Sequence, residues 1–161
     1  MESIQTKIRL KKKKKMMSVI NYVFSMDETT INFSGDKNDT FFKAIKNSFT
    51  SAISGKSNLS DEVKKMKGLS GRKFRVMMNH LIKNLEDPKY LEIGSWLGSS
   101  ACSVCFNNKV NITCIDDWSQ NFSTNLDSKK IFKSNLKKFL NEDISTQIIE
   151  KDFRKVNFKN I

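Results

Sequence analysis

The sequence contains no apolar run of about eighteen residues, so no segment reads as a transmembrane helix, and its N-terminus lacks the apolar stretch of a secretory signal. A cytoplasmic protein is expected. Cysteine is scarce: Cys102, Cys105 and Cys114 are odd in number, too few for a disulfide scaffold, and suit free thiols in a reducing compartment. Histidine is scarcer still. His80 has no second histidine to join it as a metal ligand, which makes it a structural residue and leaves no metal site to expect. Internal repeats are absent. So is the Gly-x-Gly-x-x-Gly spacing of nicotinamide and flavin enzymes, whose middle glycine lets backbone meet a pyrophosphate, and a dinucleotide is disfavoured.

Acidic residues are in deficit, with 17 Asp+Glu against 29 Lys+Arg and a net charge of +12. Half of that excess sits in the first fifteen residues, where seven basic side chains face only Glu2. The rest of the chain is mildly basic, so the overall charge is no sign of a nucleic-acid groove. Lys11, Lys12, Lys13, Lys14 and Lys15 could meet phosphate, nucleic acid or an anionic surface, but a solvated low-complexity tail is the simpler reading.

What is present fits one domain of ordinary size: 161 residues, 38% of them hydrophobic and spread along most of the chain. Residues 1–38 read as a basic, poorly ordered leader, in which the apolar stretch 16–24 is too short for more than a strand or a helical turn. Residues 39–88 read as helical. Phe41, Phe42, Ile45, Phe49 and Ile53 recur at helical spacing after a cap at Asp39 or Thr40, with Gly55 as a stop. After a polar, glycine-punctuated stretch over 57–70, Phe74, Met77, Met78, Leu81, Ile82 and Leu85 form an apolar stripe opened by Ser70 and closed before Pro88.

From Tyr90 the pattern changes to β-α-β-α-β. Strands are expected at 90–93, 111–115 and 146–150, with helices over 99–106 and around Ile131, Phe132, Leu136, Phe139 and Leu140. That alternation predicts parallel strands joined by right-handed crossovers: an α/β, Rossmann-like front half over residues 89–161.

The chemistry concentrates where the first strand runs into Gly94-Ser95-Trp96-Leu97-Gly98-Ser99. Glycine at 94 and 98 lets backbone approach a ligand, and the first turn of the following helix, from Ser99, directs N–H groups at the same crevice. Asp116 and Asp117 stand 24 and 25 residues after Glu92, at the tip of the next strand, where a carboxylate can accept from both hydroxyls of a ribose. The alternative is a tight structural turn and a solvated acid pair. Glu92, two residues before Gly94, suits a ligand bearing a positive amino group. The Cys102-x-x-Cys105 pair reads as small thiols packing a helix on a sheet.

Acid-x-Gly-x-x-x-Gly, here Glu92, Gly94 and Gly98, resembles the first motif of class I S-adenosylmethionine-dependent methyltransferases. The resemblance extends to a bacterial and viral subgroup through Gly68-Leu69-Ser70-Gly71-Arg72-Lys73, Arg75, Asn79, the run from Tyr90 to Ser99, Asp116-Asp117-Trp118-Ser119, and Phe132, Asn135, Leu136 and Phe139. It covers residues 57–161, about two-thirds of the chain. It implies S-adenosylmethionine as cofactor, with Glu92, Gly94, Ser95, Gly98 and Ser99 around its methionyl part. Asp116, or Asp117 in its place, would hold the ribose, and Asp152 the adenine amino group. In that family a fourth strand pairs with the first and later strands line the acceptor site. By the resemblance this chain is therefore a truncated front half, with an open edge at 90–93 suited to self-association and no assignable acceptor pocket, general base or metal. Methyl transfer to a small-molecule acceptor is the function expected of the intact enzyme. An inactive remnant or a basic binding module is the alternative.

Overall fold

The computed structural model describes residues 5–6, 31–120 and 126–161, and the chain divides into two units, residues 1–37 and 38–161. In the first, β1 (Gln5–Thr6) and β2 (Ile31–Asn32) pair antiparallel, with Gln5 opposite Asn32. The lysine run at 11–15 and the apolar stretch 16–24 lie outside the described residues.

The second unit begins with α1 (Thr40–Ile53), capped by Asp39, whose carboxylate accepts from the Phe42 N–H at 2.6 Å. Its buried face differs from the expected stripe. Ala44, Ser48 and Ala52 face inward at i, i+4, i+8, while Phe41 and Phe49 are exposed. Small side chains let α1 lie close against α3 (Arg72–Lys83), and Ser48 satisfies its own hydroxyl by donating to the Ala44 carbonyl. Between them runs α2 (Asp61–Lys65), a short helix unmarked by periodicity but carrying a Ser60 cap, acids in its first turn and lysines in its last.

The stripe on α3 is also turned. Arg75, Val76, Asn79 and Ile82 are buried and Phe74 is exposed. Two polar residues go inward because each meets orphaned helix-end carbonyls. The Arg75 guanidinium donates to the carbonyls of Val63, Lys64 and Met66, closing the C-terminus of α2. Asn79 donates to the carbonyls of Ser103 and Phe106 at the C-terminus of α4 (Ser99–Cys105). Ser70, expected to open α3, instead pairs its hydroxyl with that of Ser100, and Gly71 occupies the cap without a side-chain bond.

The sheet consists of β3 (Lys89–Ile93), β4 (Val110–Ile115) and β5 (Ile144–Ile149), parallel and in the order β3-β4-β5. In register, Tyr90 faces Ile112, Glu92 faces Cys114, and Ile112 and Cys114 face Thr146 and Ile148. α4 and α5 (Ser128–Phe139) make the two crossovers. Their side chains Ala101, Cys102, Val104, Cys105, Phe132 and Leu136 form the core with Val110, Ile112 and Cys114. This α/β arrangement of three parallel strands and flanking helices is compatible with a Rossmann-like fold. β3 lies at the edge of the described sheet, and Leu91 and Ile93 on it are exposed. Among the described residues no helix is long and apolar enough to cross a membrane.

Candidate functional site

The parallel strands end together, and their carboxyl ends border a cleft of about 350 Å³, a volume in the range of small-molecule sites. Ile93 and Gly94 line it from β3 and its turn, Ile115 to Gln120 from the end of β4, and Lys151 to Arg154 from the segment after β5; Leu69 and Trp96 complete it.

The turn after β3 is built from strained backbone. Gly94 and Gly98 have φ of +81° and +83°, values that L side chains rarely adopt. At Gly98 the space is closed as well, since a Cβ there would lie 2.9 Å from Cδ2 of Phe132 on α5. The glycine at 98 thus serves helix packing, not the close approach of a ligand. Trp96 and Trp118 also have positive φ, +45° and +50°, an uncommon state for bulky residues and one that requires external support.

Asp116 supplies that support. Its Oδ2 accepts from the Trp96 N–H at 2.8 Å and its Oδ1 from the Trp118 N–H at 2.7 Å, while the Trp118 indole N–H donates to the Trp96 carbonyl at 2.9 Å. Asn135 of α5 donates to the Leu97 carbonyl, and the Trp118 ring packs on Phe132 with centroids 5.2 Å apart. Lys67 lies over the Trp96 ring, 5.7 Å from its centre.

The candidate residues separate into two groups. Gly94, Asp116, Asp117 and Asp152 line the cleft. Glu92, Ser95, Gly98 and Ser99 do not; all four are buried, and Glu92 and Ser95 flank the lining pair Ile93 and Gly94 in sequence. Ser99, in the first turn of α4, is not among the residues that line this cleft.

Glu92 is 8% exposed; the Tyr90 hydroxyl donates to its Oε2 at 2.8 Å, and its Oε1 makes no regular hydrogen bond. Ser95 Oγ is likewise buried and makes no regular hydrogen bond, lying beside the Glu92 carboxylate and the Cys114 thiol. Burial pushes the Glu92 carboxyl up to about 7, against the pull of the Tyr90, Ser95 and Ser100 hydroxyls, and Asp116 adds to the rise. Asp117 is exposed, with Oδ1 accepting from both the backbone N–H and the hydroxyl of Ser119, contacts that hold its carboxyl below the usual range. Asp152 is gripped by the Arg154 guanidinium through Nε and Nη2 at 2.6 to 3.0 Å, which lowers its carboxyl to about 2.

Cys102, Cys105 and Cys114 are free, fully buried thiols, and burial raises all three, Cys105 to about 12, leaving them unreactive packing residues. His80 Nε2 lies 3.2 Å from the Lys56 carbonyl, a structural contact. Among the described residues no cluster of His, Cys, Asp or Glu could hold a metal ion.

Trp96, Leu69, Phe153 and Arg154 belong to the site without having been singled out for it from the sequence. Only the glycine-rich segment around 68 marks the wall carrying Leu69: a Cβ at Gly68 would fall 1.8 Å from Ser99 Oγ, so this loop lies directly on α4.

No model of a known protein family matches the sequence, and no curated protein matches it significantly.

Proposed function

We propose that residues 38–161 form the S-adenosylmethionine-binding part of a class I methyltransferase. The observation that carries this reading is the cleft itself. It lies outside the carboxyl ends of parallel strands, at a glycine-spaced turn, with acids from the ends of the next two strands on its rim, the place where doubly wound sheets take nucleosides.

The residues present fit the cofactor. Ile93, Ile115, Leu69 and Phe153 offer apolar walls to a purine, and Asp116 and Asp117 lie where a ribose needs acceptors. Asp152, tied to Arg154, lies in the lining segment after β5 and would meet the adenine amino group. Glu92 is buried immediately beside the lining pair Ile93 and Gly94, and its carboxylate would balance the ammonium of the methionyl end. When bound, S-adenosylmethionine supplies an activated methyl group on a sulfonium. The chain's own part is to orient that group, exclude water from it and balance its charge with the carboxylates of the rim, an effect of alignment and electrostatics. The missing pyrophosphate glycine disfavours a dinucleotide.

Thermal unfolding of the full chain tests the assignment. A ligand that binds only the folded state adds about 2.7 kcal/mol at a hundredfold excess over its Kd, enough to raise Tm by several degrees. S-adenosylmethionine and S-adenosylhomocysteine should both do this and NAD should not. An unchanged melting curve with both adenosyl ligands would sink the proposal.

A further inference from the structure

α5 carries more positive charge than its fold uses. Its twelve residues include Lys129, Lys130, Lys133, Lys137 and Lys138 and no acid. Lys130, Lys133, Ser134, Lys137 and Lys138 are exposed and make up its outward face, while Phe132 and Leu136 face the core. Lysines at i, i+4 along 129, 133 and 137 repel one another, and Lys129 and Lys130 stand in the first turn, at the positive end of the helix dipole. Two carboxylates offset part of this. Glu150, just after β5, is gripped by Lys129 and Lys133 at 2.5 Å each, and Glu62 of α2 pairs with Lys138. Lys130 and Lys137, about 10 Å apart along the helix axis, have no carboxylate partner among the described residues.

The grip on Glu150 also fixes where this face leads. Glu150 is followed by Lys151, which lines the cleft, and then by Arg154 and Lys155, both exposed. Basic side chains thus run from the outward face of α5 to the cleft rim.

We infer that α5 and the segment 151–155 form a track for the phosphate backbone of single-stranded nucleic acid, leading it to the mouth of the cleft. The inference goes beyond the function proposed above and does not rest on it. Placement carries it, not overall charge. The exposed ammonium and hydroxyl groups of α5 meet phosphate in any sequence. An anionic membrane is served less well, because no large apolar side chain is exposed on α5 to enter it. One row of cations a single helix wide follows one backbone, and the exposed ring of Phe153 at the end of the row offers a surface on which an unpaired base stacks, so a single strand fits better than a duplex.

Fluorescence anisotropy of a labelled oligouridylate of about twelve nucleotides, titrated with the full chain at several salt concentrations, tests the track without any cofactor. Lys130→Gln with Lys137→Gln should weaken binding about tenfold at about 0.1 M salt and flatten the plot of log K against log salt by about 1.4. Removing two charges elsewhere, by Lys46→Gln on α1 with Lys83→Gln on α3, should change the affinity less than about twofold. Lys11 to Lys15 are a second source of binding, so both pairs are also compared in a chain with all five of these changed to Gln, where the tenfold difference should persist. Lys130→Gln alone should leave Tm at low salt unchanged or raised, because it relieves repulsion in the first turn, and this separates lost binding from lost folding.

Equal losses in the α5 pair and the α1–α3 pair would overturn the track in favour of overall charge. Loss of all binding on changing Lys11 to Lys15 would overturn it in favour of the tail. Tighter binding to a duplex of the same length, or to vesicles containing phosphatidylserine, would overturn the choice of partner, and no binding of the oligonucleotide by the parent chain would overturn the inference outright.

Discussion

Glu92 and Leu91 are neighbours in β3, yet the carboxylate is 8% exposed and the leucine 44%. The contrast extends across the sheet. Tyr90 and Glu92 share a face with Val110, Ile112 and Cys114 and with Ile144, Thr146 and Ile148, and this face carries α4 and α5. Lys89, Leu91 and Ile93 share the other with Asn111, Thr113, Ser145 and Gln147, where most side chains are exposed. Strand alternation assigns the face, and the crossover helices decide which face is dry. A carboxylate enters the core and two aliphatic residues leave it because of position in the register, not hydrophobicity. A buried acid with one oxygen unsatisfied opposes folding, and such groups cluster where a ligand makes use of them.

Substitutions on the two faces sharpen this contrast. Phe132 is fully buried over the covered face, touching Trp118 and closing the space beside Gly98, and Phe132→Ala should cost about 4 kcal/mol in chemical denaturation. Equal stability of this variant and the parent would break the account of the core. Glu92→Gln should act in the opposite direction and depend on pH. Below the ordinary value of 4.5 the carboxyl is protonated in both states and has no effect. As pH rises from there towards about 7, the unfolded chain ionises first, so the parent loses stability progressively, and the loss is complete above about 7. The shift corresponds to a loss of order 3 kcal/mol, which Glu92→Gln should abolish. Denaturation midpoints between pH 4 and pH 8 that move in parallel for parent and variant would contradict a buried Glu92.

Gly98→Ala comes next, with an expected cost of about 2 kcal/mol from the left-handed backbone and the close Phe132 ring together. Gly94→Ala meets no neighbour and should cost about 1 kcal/mol from backbone alone, so the difference between the two isolates the packing contribution. On the bare face Leu91→Lys should change stability by no more than about 0.5 kcal/mol. A large destabilisation there would mean that Leu91 is covered in solution.

The strands and their acidic ends were legible in the sequence because each is a local signal: a short apolar run, a glycine, an aspartate at the tip. The helices were legible in position but not in orientation. Phe41, Phe49 and Phe74 suggested buried stripes, whereas close packing through Ala44, Ser48 and Ala52 and the carbonyl contacts of Arg75 and Asn79 turn those faces away. Whether a helix packs through its largest or its smallest residues depends on the partner it meets, and periodicity does not contain the partner. α2 was hidden by its length, although Ser60 marks its start. Within the site, the cleft brings Gly94, Asp116, Asp117 and Asp152 together as expected, but the bonds from Trp96 and Trp118 to Asp116 and the packing of Gly68 on Ser99 are long-range contacts that no spacing announces.

Isothermal titration of S-adenosylmethionine into the full chain at pH 7, in two buffers of different ionisation enthalpy, tests the central claim most directly. Saturable one-to-one binding, with a fraction of a proton released as Glu92 ionises beside the cofactor's ammonium group, is the predicted result. No saturable heat from a chain that unfolds cooperatively would contradict it.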